Sequence, residues 1–368
     1  MPPLAVVEST NTAYHPNYLP VAIVVGATSG VGQAMAEALA RQTNGRAHII
    51  IIGRSASTAA KILAGFPKPT DKDVEEGAKH EFVACDAMSL RDVRAVCKGL
   101  KARLKRVNYL VMTAGGPEAN SMTEASETEE GINKHLAMRY FMRYLFTKEF
   151  SPLLASAKEM GQHAHAMTVL GAGMGVHLRT TDLGLHDALR GSYSFLQGRT
   201  PLIVAIKGMI AGAAYSDGLV AYFAANYPTV AFTHIHPGQV LTANGSHIDM
   251  GWMWAPLAWV LGYVKRAVSL SQDERAKYML YALLDQATDS GGVFIRGDHG
   301  DIVSSHTFDA ATFESPWKNL DAAADSNNTA SKKWGVLSGI PLKGYGGSDA
   351  AVANLVRYTE QELARILA

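Results

Sequence analysis

Apolar residues along this chain gather into short runs separated by stretches with helical spacing. Residues 21–25 (VAIVV) are continuously apolar and mostly β-branched, the pattern of a strand buried on both faces. The run breaks into Gly26, Gly30 and Gly32, and a helical pattern follows to about residue 42. A second buried strand reads at 47–52 (AHIIII), and further strands at 81–85, 107–113 (VNYLVMT), 164–170 and 229–235. Helical patterns fall at 58–64, 90–105, 129–150, 200–226 and 272–284, and Thr200-Pro201 supplies a capping hydroxyl followed by proline at the first helical position. This alternation predicts an α/β fold, doubly wound, with a mostly parallel sheet and helices on both faces. Residues 1–18 read as an extended lead-in. A single domain over 19–290 is expected, with a cover segment at 243–271. Residues 291–368 read as a C-terminal extension packed on that domain, glycine-rich and polar until a final amphipathic helix at 349–367.

The stretch 21–32 carries the first chemical signal. A buried strand, a glycine-rich turn and an immediate helix start together make a phosphate site, because glycines admit close approach and the unpaired N–H groups of a helix start hold negative charge. The bulk properties narrow the partners. The chain has 368 residues, 48% of them hydrophobic and 18% charged, which describes a globular protein with a sizeable core. A formal charge of +1 offers no electrostatic case for nucleic acid or an anionic membrane. Cys85 and Cys97 have no metal-ligand spacing and are too few for a disulfide framework. The start, MPPLAVVEST, lacks the basic flank and apolar core of a signal peptide, and the hydrophobic window at 250–264 is too short for a membrane span. A cytoplasmic protein is expected.

Four motifs occur in order: Gly26-x3-Gly30-x-Gly32, Asp86 after the third strand, Ala114-Gly115 after the fourth, and Pro237-Gly238-x-Val240-x-Thr242 after the sixth. Over residues 21–242 the chain resembles the short-chain dehydrogenase/reductase family, a Rossmann-type family. Its flavour is similar to fungal members of which many serve secondary metabolism. The resemblance implies that Gly26, Ser29, Gly30, Val31 and Gly32 surround the cofactor phosphates. It implies that Asp86 accepts from the adenine amino group, that Ala114 and Gly115 line the adenosine ribose, and that Thr242 reaches the nicotinamide carboxamide beside Pro237, Gly238 and Val240. At the end of the second strand an acidic residue would bind a ribose 2′-hydroxyl, whereas Arg54 suits a 2′-phosphate, so NADP(H) is the expected cofactor.

The proton machinery departs from the family pattern. That pattern needs a tyrosine with lysine four residues later, a serine after the fifth strand, and an asparagine in the preceding helix. Here the serine slot holds Gly171 and the asparagine slot Arg139, and no tyrosine between 170 and 237 has lysine four residues on. Counting back from Pro237 places Lys207 in the tyrosine slot and Ala211 in the lysine slot; other registers offer Tyr215 or Tyr193. Lys207, Tyr215 and Tyr193 are therefore the candidate proton donors. Lys207 and Tyr215 share a helix face but stand two turns apart, roughly 12 Å along the axis. The spaced pairs His163/His165 and His234/His236 read chiefly as structural, with an acid–base role as the alternative. A long 171–199 connection, with Gly171, Trp252 and Trp254 as pocket residues, suits a hydrophobic small-molecule substrate. The reading is carbonyl or enone reduction with a non-standard proton donor. A non-redox isomerase or cyclase on the same scaffold, or a cofactor-binding protein without catalysis, are the alternatives.

Overall fold

A computed structural model describes residues 1–115, 126–174, 178, 180–186, 200–238, 271–315, 317, 318, 320 and 349–368. In chain order the elements are α1 (Leu4–Thr12), β1 (Val21–Val25), α2 (Gly30–Gln42), β2 (His48–Gly53), α3 (Ala56–Ala64), α4 (Asp71–Glu75), β3 (Lys79–Ala84), α5 (Leu90–Lys101) and β4 (Tyr109–Met112). There follow α6 (Lys134–Leu136), a π-helical turn (Ala137–Phe141), α7 (Met142–Glu159), β5 (His165–Val169), α8 (Thr200–Asn226), β6 (Ala231–Ile235) and α9 (Gln272–Leu284). The chain ends with β7 (Gly292–Arg296), β8 (Ile302–His306) and α10 (Asp349–Leu367).

The strands form one sheet in the order β3-β2-β1-β4-β5-β6-β7-β8, parallel throughout except for β8, which pairs antiparallel with β7. The doubly wound α/β expectation holds. The continuous apolar runs are explained by burial on both faces. Ile23, Ile50 and Leu110 pack with Leu90, Val93, Phe146, Leu219 and Val352, from α5, α7, α8 and α10. Val24, Ile49 and Val111 pack on the other face with Met35, Leu39, Ile62 and Met279, from α2, α3 and α9. The order turns back at β1, whose neighbours are β2 on one side and β4 on the other. In such sheets the crevice beyond the carboxyl ends of the strands at this reversal is where ligands bind.

Three expectations change. Residues 4–12 are helical rather than extended: Val7 is buried and Asn11 Nδ2 donates to Lys277 O of α9 at 3.0 Å. Only those two residues of the nine are buried, so docking rather than an apolar stripe determines the helix. The expected helix at 129–150 begins at Lys134, passes through the π-helical turn and runs on to Glu159. Residues 292–306 are two strands of the main sheet, not a packed-on extension. Val293 to Ile295 is too brief an apolar run to stand out, and the flanking glycines mark tight joints. A Cβ at Gly292 would lie 2.4 Å from His306 O, and Gly297 N bonds to Asp301 O across the hairpin.

At the opposite end of the sheet from the crevice, a chain of polar side chains ties distant segments together. Tyr14 and Tyr109 hydroxyls meet at 2.8 Å, the Tyr109 hydroxyl lies 3.2 Å from His163 Nδ1, and His163 Nε2 lies 3.1 Å from Thr288 Oγ1. Burial holds His163 down to about 4, against a smaller opposing pull from Asp289. Between pH 6.5 and about 4 the unfolded chain therefore binds a proton that the folded protein excludes, so this residue's stabilisation is complete above 6.5 and falls as pH drops through that window. Relative to His163→Gln, the wild type is expected to lose about 2 kcal/mol more between pH 7 and pH 5, read from urea midpoints. Parallel pH profiles would contradict this.

Candidate cofactor and active site

The glycine turn lies at the carboxyl end of β1. Gly26 and Gly30 have φ of 87° and 63°, a region that penalises side chains, and Gly26 N donates to Ile52 O at 2.9 Å. A Cβ on Gly32 would lie 2.2 Å from Thr113 Oγ1 and 2.5 Å from Gly26 O. One on Gly26 would lie 2.6 Å from Ala114 N. These two glycines thus permit the turn to close onto the end of β4. Thr113 Oγ1 secures the joint by donating to Val25 O at 3.0 Å. The first N–H groups of α2 begin at Gly30, and Ser29 in the N-cap position makes no side-chain capping bond with them. A helix start with its amides uncapped by the side chain, set in a glycine cradle at the sheet reversal, fits a dinucleotide pyrophosphate.

The other expected cofactor residues that are described follow the carboxyl ends of β2, β3, β4 and β6. Arg54 is exposed immediately after β2. Thr28 covers Gly53, where a Cβ would come within 2.7 Å of it. Asp86 follows β3, exposed, and its Oδ1 accepts from Met88 N at 3.1 Å, which shapes the turn into α5. Ala114 and Gly115 follow β4. Pro237 and Gly238 follow β6; Gly238 has φ of 65°, and a Cβ there would meet Arg275 and Asp298 at 2.8 Å. Val240 and Thr242, like Tyr193, Trp252, Trp254 and residues 243–270 of the cover segment, lie outside the described residues.

The candidates on α8 separate. Lys207 is exposed on its N-terminal half. Tyr215 is buried, donates its hydroxyl to Leu183 O at 3.1 Å and meets Tyr140 edge-on at 5.3 Å. Burial pushes its phenol well above the ordinary range. The two are thus in different environments on one helix. A Cβ on Gly171 would meet Ala213 of α8 at an ordinary 3.6 Å, so nothing there requires a glycine. Arg139 lies in the π-helical turn with its stem against Gly212, and burial lowers its guanidinium to about 10.

Two buried charged groups escaped the sequence reading. Arg143 of α7 is wholly buried, and its Nη2 donates to Ala114 O at 3.0 Å and Val169 O at 3.2 Å while Nη1 donates to Met138 O. Asp217 of α8 is also buried, with Oδ1 2.6 Å from His234 Nδ1 and accepting from Gly173 N at 3.5 Å. Burial raises the Asp217 carboxyl against the lowering effect of His234. Both residues carry a faint sequence signal. Arg143 stands four residues after Arg139, and Asp217 is the next charge after Lys207 in an apolar helix. His165 is structural, with Nδ1 2.9 Å from Leu283 O and Nε2 2.6 Å from Thr233 Oγ1.

The fold and the glycine cradle together fit a dinucleotide-binding α/β protein, and a family model described as short chain dehydrogenase matches residues 20–165. Over those residues the chain is similar to the short-chain dehydrogenases, a family of oxidoreductases. It is 27% identical to the oxidoreductase andH of Emericella variicolor over 282 residues, 76% of this chain and 74% of that protein. It is 27% identical to the polyprenol dehydrogenase of Homo sapiens over 228 residues, covering 62% of this chain and 57% of that one. The solved 3-oxoacyl (acyl-carrier-protein) reductase of Agrobacterium tumefaciens, with NADP bound, is similar in fold, with a TM-score of 0.50 and 17% identity over 76% of this chain and 93% of its own. Among the described residues no helix is long and apolar enough to cross a membrane.

Proposed function

We propose that this protein is an NADP(H)-dependent reductase of a hydrophobic carbonyl or enone metabolite, acting in the cytoplasm within secondary metabolism. The observation that carries the cofactor half is the glycine cradle and α2 start at the sheet reversal, with Arg54 at the end of the adjacent β2. Gly26, Ser29, Gly30, Val31 and Gly32 would hold the phosphates, Arg54 the 2′-phosphate, and Asp86, Ala114 and Gly115 the adenosine. Pro237, Gly238, Val240 and Thr242 would border the nicotinamide, which supplies the hydride when bound. The similarity to a polyprenol dehydrogenase is in keeping with a hydrophobic substrate facing Gly171, Trp252 and Trp254.

The proton would come from outside the family's tyrosine–lysine pair. Lys207 is the preferred donor because it is exposed, whereas the Tyr215 proton is already donated to Leu183 O; Tyr193 is the third candidate. With Gly171, Lys207 and Ala211 in the serine, tyrosine and lysine slots, a non-redox isomerase or cyclase on this scaffold is the second reading.

NADPH is expected to bind about tenfold more tightly than NADH, and Arg54→Ala to abolish that difference, as one charge-assisted phosphate contact would. Equal affinities in the wild type would sink the cofactor assignment. NADPH oxidation across a panel of hydrophobic ketones and enones then tests the reaction. Binding without oxidation favours the non-redox reading. Activity that survives Lys207→Met, Tyr215→Phe and Tyr193→Phe singly removes all three proton roles.

A further inference from the structure

Among the described residues Arg143 is a cation without an acid. Its guanidinium is wholly buried and committed to three backbone carbonyls, those of Ala114, Val169 and Met138. Its Nε is buried without a partner, and no carboxylate among the described residues pairs with it. Burial and the neighbouring Arg139 guanidinium lower it to about 9, so it still carries its charge at neutral pH. A buried charge without a counter-ion is costly and ordinarily avoided. The partial negative charge of the three carbonyls offsets it only in part.

Its position gives the charge a use. Ala114 follows β4 and Val169 ends β5, so the guanidinium lies beneath the carboxyl ends of adjacent parallel strands, on the rim of the crevice that opens at the β1–β4 reversal. Ala114 also abuts the glycine cradle, since a Cβ on Gly26 would lie 2.7 Å from its Cα. A dinucleotide held by its pyrophosphate at that cradle would have these strand ends beside it. Its oxidised nicotinamide carries a unit positive charge that the reduced ring lacks.

We propose that Arg143 is a specificity-determining residue that makes the site favour the reduced over the oxidised cofactor, through its fixed, uncompensated charge under the ends of β4 and β5. The inference rests on the cofactor reading above. A fixed cation penalises the pyridinium and leaves the neutral dihydronicotinamide unaffected, so it biases the protein toward carrying reduced cofactor. At an effective dielectric near 20, one unit charge within about a nanometre of another changes an equilibrium roughly tenfold.

The test is binding, not turnover. Dissociation constants of NADPH and NADP⁺ are measured by calorimetry at neutral pH for the wild type and for Arg143→Met, Arg143→Gln and Arg143→Lys, each with a thermal melt. The wild type is expected to bind NADPH more tightly than NADP⁺. Methionine, which fills the volume, and glutamine, which still donates to a carbonyl, should each shrink that preference about tenfold. Lysine, which keeps the charge but not the fork, should retain it. Equal affinities in the wild type overturn the inference. So does a loss in the methionine and glutamine variants that is the same for both cofactor forms, because a clamp that only orders the strand ends would weaken both alike. A wild type that binds neither form instead overturns the cofactor reading itself.

Discussion

Asp217→Ala is expected to destabilise the protein by about 3–5 kcal/mol, the usual cost of removing one partner of a buried, hydrogen-bonded ionisable pair. The carboxylate sits on α8 with 1% of its side chain exposed, and its His234 partner on β6 is fully enclosed. The pair bridges a helix and the sheet, and the bond from Gly173 N draws the turn after β5 into the same joint. Among the described residues Asp217 Oδ2, His234 Nε2 and Thr168 Oγ1 nevertheless have no partner, so their share of the arrangement is not optimised for stability. The double variant Asp217→Leu/His234→Leu should therefore lose far less than the sum of the single changes. Urea unfolding of the two single and the double variants measures this. A single-variant loss below about 1 kcal/mol would mean that the pair is not buried as described.

Gly32→Ala and Gly26→Ala should each cost about 2–4 kcal/mol and weaken NADPH binding at least ~100-fold. At Gly32 the added carbon would overlap Thr113 Oγ1 and Gly26 O, and the second of these is backbone that cannot rotate away. At Gly26 it would meet Ala114 N and Cα, and φ of 87° adds the left-handed penalty. Either change pushes the turn off the end of β4 and displaces the start of α2. Thr113→Ala in the Gly32→Ala background removes one of the two overlaps and should restore part of the stability, because Gly26 O remains in the way. Thermal melts and cofactor titration follow the two effects separately. Normal NADPH affinity in both alanine variants would contradict a phosphate role for the turn.

The chain's own pattern revealed six of the eight strands, because five of them are runs of mostly apolar residues buried on two faces and the sixth, the half-exposed β3, falls in the alternation of strands and helices. The amphipathic helices also read correctly, with 272–284 and 349–367 found at their observed bounds. What the pattern left out depended on distant contacts. Helix α1 has too few apolar positions to be seen without α9, and β7 is too short to be seen without β6 on one side and β8 on the other. The π-helical turn that carries Arg139 has no local signature in residues 137–141.

The site divides in the same way. By itself the sequence determined the strand, the glycine turn and the helix start, since backbone freedom at Gly26 and Gly30 and the orphan amides of a helix end are properties of neighbouring residues. Only the tertiary structure decided what the glycines avoid and where the buried charges go. Thr113 meets Gly26 and Gly32, Arg143 holds Ala114 and Val169, and Asp217 meets His234, each across a strand order that a linear pattern does not specify. A lone Arg or Asp in a helical stretch looks the same whether it faces water or lies in the core. Its partners, and therefore the field it imposes on the crevice, come from the packing of the sheet against α7 and α8.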